Sequence, residues 1–303
     1  MTTAGLVAVS TGAQTETAPR TAWGKPDLRG FWTIRTMTPL ERPPGFEDKP
    51  VVTGDEARLL VEALRQGTAQ ALDAILSADY EQGYGGAADG TARYGLLDGR
   101  TSLVVAPPSG KIPRTAYGKK RMEEYVARLF ESPAGPEDRT LSERCIMLGR
   151  GPLPVNPAHG VRLFQTPDHV VMYSELYHDS VIVPLDGRPA RSPAIRQWLG
   201  DSRGYWEQDT LVVETTNFNP RWTFEGSGPR LRLVQRFLRV DPTTLAYSYT
   251  MIDADAFESP WTAEFPLTYT DEPPLEYACH EGNRSMSLML SGARAEERRN
   301  QGR

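Results

Sequence analysis

Leu231–Ile252, LRLVQRFLRVDPTTLAYSYTMI, is the stretch whose reading decides the fold. Leu231, Leu233 and Phe237 alternate with Arg232 and Arg236. After Asp241-Pro242-Thr243-Thr244 the alternation resumes with Leu245, Tyr247, Tyr249 and Met251. Side chains return to the same face of a strand every second residue, so each run has one apolar and one polar face. The residues between are turn formers: aspartate bonds its own backbone, and proline presets φ. The stretch therefore predicts two antiparallel strands with one buried face.

Working outward, the same kind of run recurs. Val161 to Gln165, His169 to Glu175, Ser180 to Val183, Leu211 to Asn217, Thr262 to Tyr269 and Leu275 to His280 all read as strands. Turn residues separate them, among them Pro167-Asp168 and Asp271-Glu272-Pro273-Pro274. Short strands at this spacing argue for a mainly β protein: an antiparallel, lipocalin-like β-barrel or a curved sandwich, without parallel crossover units. The N-terminal part differs. Thr53 and Glu56 have capping-box spacing, and Leu59, Leu60 and Leu64 follow as a core stripe, so residues 53–82 read as helical with a break at Gly67. Thr115 to Phe130 reads as a second helix. The expected organisation is a disordered tail over 1–22, a strand and helical region over 23–160 packing on the barrel, the barrel over 161–292, and a tail over 293–303.

Composition excludes several classes. The 303 residues can bury a large core, and the net charge of −5, with no basic run, offers no face for nucleic acid. No apolar run approaches the roughly 20 residues of a membrane span. The glycine-rich stretch Tyr80 to Gly90 lacks the lysine and serine or threonine of a phosphate loop. No nucleotide, haem or thiol motif is present, so no cofactor is expected. Met1 to Ala22 lacks a basic n-region, so the chain as written reads as cytoplasmic. The two cysteines, Cys145 and Cys279, leave two readings open: a buried free pair, or one long-range disulfide.

Residues 174–218 gather the most ionisable and aromatic groups beside strand-like runs. Tyr205 and Trp206 lead into Glu207-Gln208-Asp209, and Leu211, Val212 and Val213 lead out, which is a hairpin pattern. His178 lies between Glu175 and Asp179, and His280 lies between Cys279 and Glu281. An imidazole near a carboxylate can serve as general acid or base, so His178, His280, Asp179, Glu281 and Glu175 are the candidate catalytic groups. The competing reading makes both histidines hydrogen-bonding residues at strand ends. A His/carboxylate metal site from the same residues has no tight ligand spacing behind it. Arg196 and Arg203, with Trp198, Tyr247 and Tyr277, are candidate substrate-binding groups, because guanidinium binds anions while aromatic rings pack apolar surface. A surface network of arginines with Asp201 and Asp209 is the competing reading.

The blocks PDLRGFW, GRTSLVVAPPSGKIP, ERC, FQTPDHVVM, HDSVIVPLDGRP, IRQWLGDSRGYWEQDTLVVETTNF, RFLRVDP, PWTAEFP and YACHEGN resemble a family of uncharacterised bacterial proteins. Many of its members carry signal peptides. The resemblance spans Trp23 to Gly292, and departs from the family pattern at Ala106, Val181 and Ala190, where Asp, Arg and His are expected. It carries no activity. Because Cys145 and Cys279 each fall in such a block, it implies that they bridge. Two function classes follow from the residues: a cofactor-independent acid/base enzyme (lyase, isomerase, hydratase or cyclase) acting on a hydrophobic, aromatic or polycyclic small molecule, or a lipocalin-like carrier of such a molecule. A metal-dependent hydrolase stands third.

Overall fold

The computed structural model describes residues 17–76, 94–147 and 160–302. The glycine-rich stretch Tyr80 to Gly90 and most of the expected linker up to His159 lie outside the described residues. Ten strands and three helices are present among those described: β1 (Gly30–Thr33), α1 (Gly54–Leu76), β2 (Val104–Ala106), α2 (Ala116–Phe130), β3 (Val161–Gln165), β4 (His169–Ser174), β5 (Ser180–Pro184), β6 (Asp201–Glu207), β7 (Thr210–Thr216), β8 (Arg232–Asp241), β9 (Thr244–Ile252), β10 (Trp261–Thr270) and α3 (Ser285–Gln301). No helix among the described residues is long and apolar enough to cross a membrane.

The strands form one antiparallel sheet in the order β5-β4-β3-β1-β10-β9-β8-β7-β6, with β2 also pairing β10. Eight antiparallel steps separate β5 from β6 along this path, so the two end strands point the same way. They lie against each other: a Cβ on Gly204 of β6 would fall 2.7 Å from both Val183 Cγ1 and Leu185 Cδ2. The sheet is thus a nearly closed antiparallel barrel, with a seam where β5 meets β6. The barrel is not confined to the residues after 160. β1 inserts between β3 and β10, with Trp32 opposite Val161 on one side and Tyr269 on the other.

The alternation of Leu231–Ile252 becomes the barrel wall. Phe237 pairs with Tyr247, and Tyr247 pairs in turn with Phe265 of β10. All three rings are buried and in contact, with centroids 4.9 and 5.1 Å apart. The Asp241–Thr244 turn closes through Asp241 Oδ1, which accepts from Thr243 N at 2.7 Å. At the end of the barrel where β3, β6 and β8 finish, residues 17–29 fold across. Arg20 pairs with Asp209, Leu28 N donates to Gln165 Oε1 at 2.8 Å, and the Arg239 guanidinium lies 4.9 Å from the Trp32 ring centre. Residues 17–22, expected as part of a disordered tail, are therefore tied down by ion pairing and by burial of Thr21.

Two further expectations change. α1 runs unbroken through Gly67, and of its expected core stripe Leu60 is buried while Leu59 is 70% exposed. Leu275 to His280 is not a strand. Pro273 and Pro274 precede it, and both edges of β10 are already occupied by β1, β2 and β9. α2 begins as expected: Thr115 caps it, its hydroxyl accepting from Gly118 N at 3.1 Å.

Candidate functional site

The histidine-bearing segments meet at the corner where β4 finishes and β5 begins. Glu175, the first residue after β4, is buried and uses both carboxylate oxygens. Oε2 accepts from Gly160 N at 3.0 Å, and Oε1 accepts from Leu275 N at 2.6 Å. The turn itself closes through Ser174 N, which donates to Asp179 O at 2.8 Å. Within it Tyr177 and His178 both take left-handed backbone, with φ of 58° and 55°. That region is uncommon for residues other than glycine, although histidine enters it more readily than most.

The C-terminal segment packs onto this turn. The Tyr177 and Tyr277 rings lie 4.8 Å apart, with the Tyr277 hydroxyl 3.4 Å from that of Tyr177. The Tyr177 hydroxyl donates to Ser142 O at 3.1 Å. One residue group further along, Cys145 and Cys279 are bridged, with Cα atoms 5.7 Å apart across 134 positions of sequence. The expected pairing is therefore present. Asn283 Nδ2 donates to Cys279 O at 2.9 Å and lies 3.5 Å from Cys145 Sγ. Below the disulfide, Glu143 receives Arg139, Thr140 N and the Thr140 hydroxyl. Burial opposes the Glu143 charge, but these bonds outweigh it and hold the carboxyl below its usual range.

His178 and His280 are exposed at this corner, as is Glu281, and Asp179 is half-buried. The His178 ring lies 6.3 Å from that of Tyr173. Both histidines are open to solvent and to a ligand. Glu175 is different. Its bonds to two backbone N–H groups join three segments, which gives it a fastening role. Among the described residues no three His, Cys, Asp or Glu side chains are grouped to hold a metal, and the Glu175 oxygens are already engaged.

The candidate substrate-binding groups divide. Tyr277 belongs to the corner. Arg203 reaches Asp201 Oδ1 at 2.8 Å and the carbonyls of Pro189 and Ser202. Arg196 Nη1 donates to Phe218 O and Pro229 O at 3.2 and 2.6 Å. These bonds bind the loop between β5 and β6 to the barrel, and Asp201, 5% exposed, is its buried anchor. Trp198 packs half-buried on the core. Tyr247 is fully buried in the barrel interior, its hydroxyl accepts from Gln235 Nε2 at 2.9 Å, and burial pushes its phenol pKa up. The alternation that turns it inward does not reveal its depth.

Tyr177 is the member of the corner that the sequence reading passed over. Its one signal was its place beside His178 in SELYHDS. No known family model and no curated protein matches the chain.

Proposed function

We propose that the protein is a cofactor-independent acid/base enzyme of lyase, isomerase, hydratase or cyclase type. Its substrate is a hydrophobic, aromatic or polycyclic small molecule, and its working site is the corner formed by the β4–β5 turn and the segment around Cys279. One observation carries the reading. Two consecutive left-handed residues, Tyr177 and His178, are held against the segment that bears His280. Backbone held in sparsely populated conformations gathers at functional sites, because surrounding bonds must over-determine it. Here Glu175, the tyrosine pair and the disulfide do so. In this reading His178 moves the proton, His280 is the second acid or base, and the Tyr277 ring packs on the apolar surface of the substrate. The Cys145–Cys279 bond supports an oxidising compartment as the place of work.

The second reading is a carrier without catalysis. It is favoured by the barrel interior, whose buried rings include Trp32, Phe237, Tyr247, Tyr249, Trp261 and Phe265, with no histidine among them. Proton exchange separates the two. The protein is incubated in D2O with a panel of aromatic ketones bearing acidic C–H bonds, and deuterium uptake is read by mass spectrometry. An enzyme incorporates deuterium, and His178→Asn abolishes it at unchanged melting temperature. Uptake no faster than in buffer, or equal in wild type and the His178 and His280 variants, removes the enzyme reading.

A further inference from the structure

The outer wall of the barrel carries exposed apolar side chains where β3, β4 and β5 run side by side. The inward residues of these strands are buried, among them Leu163, Val170, Met172 and Val183. On the outward face Phe164 pairs with Val171, and Val171 pairs with Ile182, so three apolar side chains form one row across the strands. Cross-strand neighbours stand about 5 Å apart at Cβ, which makes the row continuous. Phe164 is 49% exposed and Ile182 is 62% exposed. Exposed apolar side chains that adjoin one another mark an interaction surface, where single ones do not. β4 is paired on both sides within the sheet, so a peptide cannot add to this face as a strand. β3, β4 and β5 contain no acidic residue, and Arg162 lies outward on β3, one row from Phe164.

The connection from β5 to β6 supplies the other rim of the row. The two strands point the same way, so residues 186–200 have to return along the outside of the seam. Arg203, outward on β6, marks the path by donating to Pro189 O at 3.0 Å. Residues 186–197 are all exposed, Ile195 among them, yet the loop is fastened. Asn217 Nδ2 donates to Arg191 O at 3.0 Å, and Gln197 N donates to Asn217 O at 3.0 Å. A segment that is both fixed and exposed presents its side chains with little further ordering to be lost on binding. Between residues 186 and 203 four arginines stand against two aspartates, in a chain whose net charge is −5. One of the two aspartates, Asp201, is buried under Arg203. A second copy of this face would set like charges together. An anionic lipid surface fits both features: it takes apolar side chains at headgroup depth and attracts a basic rim. We infer that the row Phe164–Val171–Ile182, with Ile195 and the arginine rim, docks the protein on the surface of an anionic membrane. The docking does not depend on the His178–His280 corner being catalytic.

The full disulfide-bonded chain is sedimented with sucrose-loaded vesicles of phosphatidylcholine, with and without about 30 mol% phosphatidylglycerol. The expected result is binding to the mixed vesicles at least about ten-fold tighter than to the neutral ones, weakening as salt rises. Arg191→Gln leaves the backbone bonds of the loop in place and should weaken that binding about five-fold, the worth of one basic residue at an anionic surface. Ile182→Ser removes no charge and should weaken it by at least about as much, at unchanged melting temperature. If Ile182→Ser melts early, Phe164→Ser carries the same comparison. Absence of binding to the mixed vesicles, equal affinity for the neutral ones, or an affinity unmoved by Arg191→Gln or by the apolar substitution overturns the inference. A chain that ignores both vesicles but binds polyglutamate also overturns it, and makes the rim a surface for an acidic protein. His178→Asn must leave vesicle binding intact, so failure of the corner as an enzyme shows as absent deuterium uptake with this binding preserved.

Discussion

Leu275 N donates to Glu175 Oε1 at 2.6 Å, joining residues 100 positions apart. The same carboxylate accepts from Gly160 N, so one side chain fastens the start of β3 and the C-terminal segment to the end of β4. Glu175→Ala removes both acceptors and is expected to destabilise by about 1–3 kcal/mol. Glu175→Gln keeps one acceptor and should lose less. Urea unfolding of the two variants checks the order, and equal stability of Glu175→Ala and wild type would show that these bonds carry no net weight.

The seam between β5 and β6 rests on Gly204. Its missing Cβ is what allows Val183 and Leu185 to close over β6. Gly204→Ala forces those side chains back by a fraction of an ångström and should cost about 1–3 kcal/mol as overpacking. The local signature is faster hydrogen exchange in β5 than in β8 or β9. Uniform exchange changes along the sheet would mean that the barrel does not open at this seam.

Cys145 and Cys279 close a loop of 134 residues. In the chain-entropy account a loop of that length stabilises the native state by roughly 5 kcal/mol. Cys145→Ser combined with Cys279→Ser should therefore lower the unfolding free energy by several kcal/mol. Protease cutting should appear first between Glu272 and α3, which the disulfide fastens to the barrel. A double variant with unchanged urea midpoint and unchanged cleavage would assign the fastening to Glu175 and the Tyr177–Tyr277 pair.

Much of this architecture is readable in residue order, and the reasons for the exceptions are physical. β8 and β9 are plain because their alternation persists over whole strands and one turn joins them. β1 has four residues, and nothing local says that it inserts between β3 and β10. Leu275 and Tyr277 alternate like a strand, but two prolines, the Glu175 bond and the disulfide decide that segment instead. The meeting of the His178 turn with the segment that bears His280 was expected from the places of both histidines at the ends of predicted strands. Its actual agents, Glu175 and the Tyr177–Tyr277 pair, act across about a hundred residues, a range that periodicity does not reach.

The turn below the disulfide should respond to acid through Glu143. Its folded pKa lies below the ordinary glutamate value of 4.5, chiefly through Arg139 and Thr140 acting against burial. A depressed folded pKa means that the contribution is complete above the unfolded value and disappears as pH falls through the folded one. Stability should thus decline with acidification below about pH 4.5, and part of that decline should be missing in Glu143→Gln. Unfolding measured from pH 6 to pH 2.5 on both proteins checks this, and parallel curves would remove Glu143 from the account. Other carboxylates titrate in the same range, so the difference between the two curves is the observable.

His178 allows the functional and structural roles of the corner to be separated. Its backbone sits at φ 55°, next to Tyr177 at 58°, so a substitution changes two things at once: the imidazole and the ease of left-handed backbone. Asparagine tolerates that conformation, glycine adopts it freely, and alanine resists it. Stability should therefore rank Gly and Asn at or above the histidine parent, with Ala about 1 kcal/mol below, the size of a left-handed backbone penalty. Proton transfer follows a different order. None of the three replacements carries a group that titrates near neutrality, so all should lose deuterium uptake by roughly 10²-fold or more, the usual contribution of a general acid or base. Melting temperature and uptake measured on the same preparations give the two rankings. If uptake follows stability across the series, His178 holds the turn and the corner is structural. If all three lose uptake alike while only alanine melts early, His178 acts on the substrate.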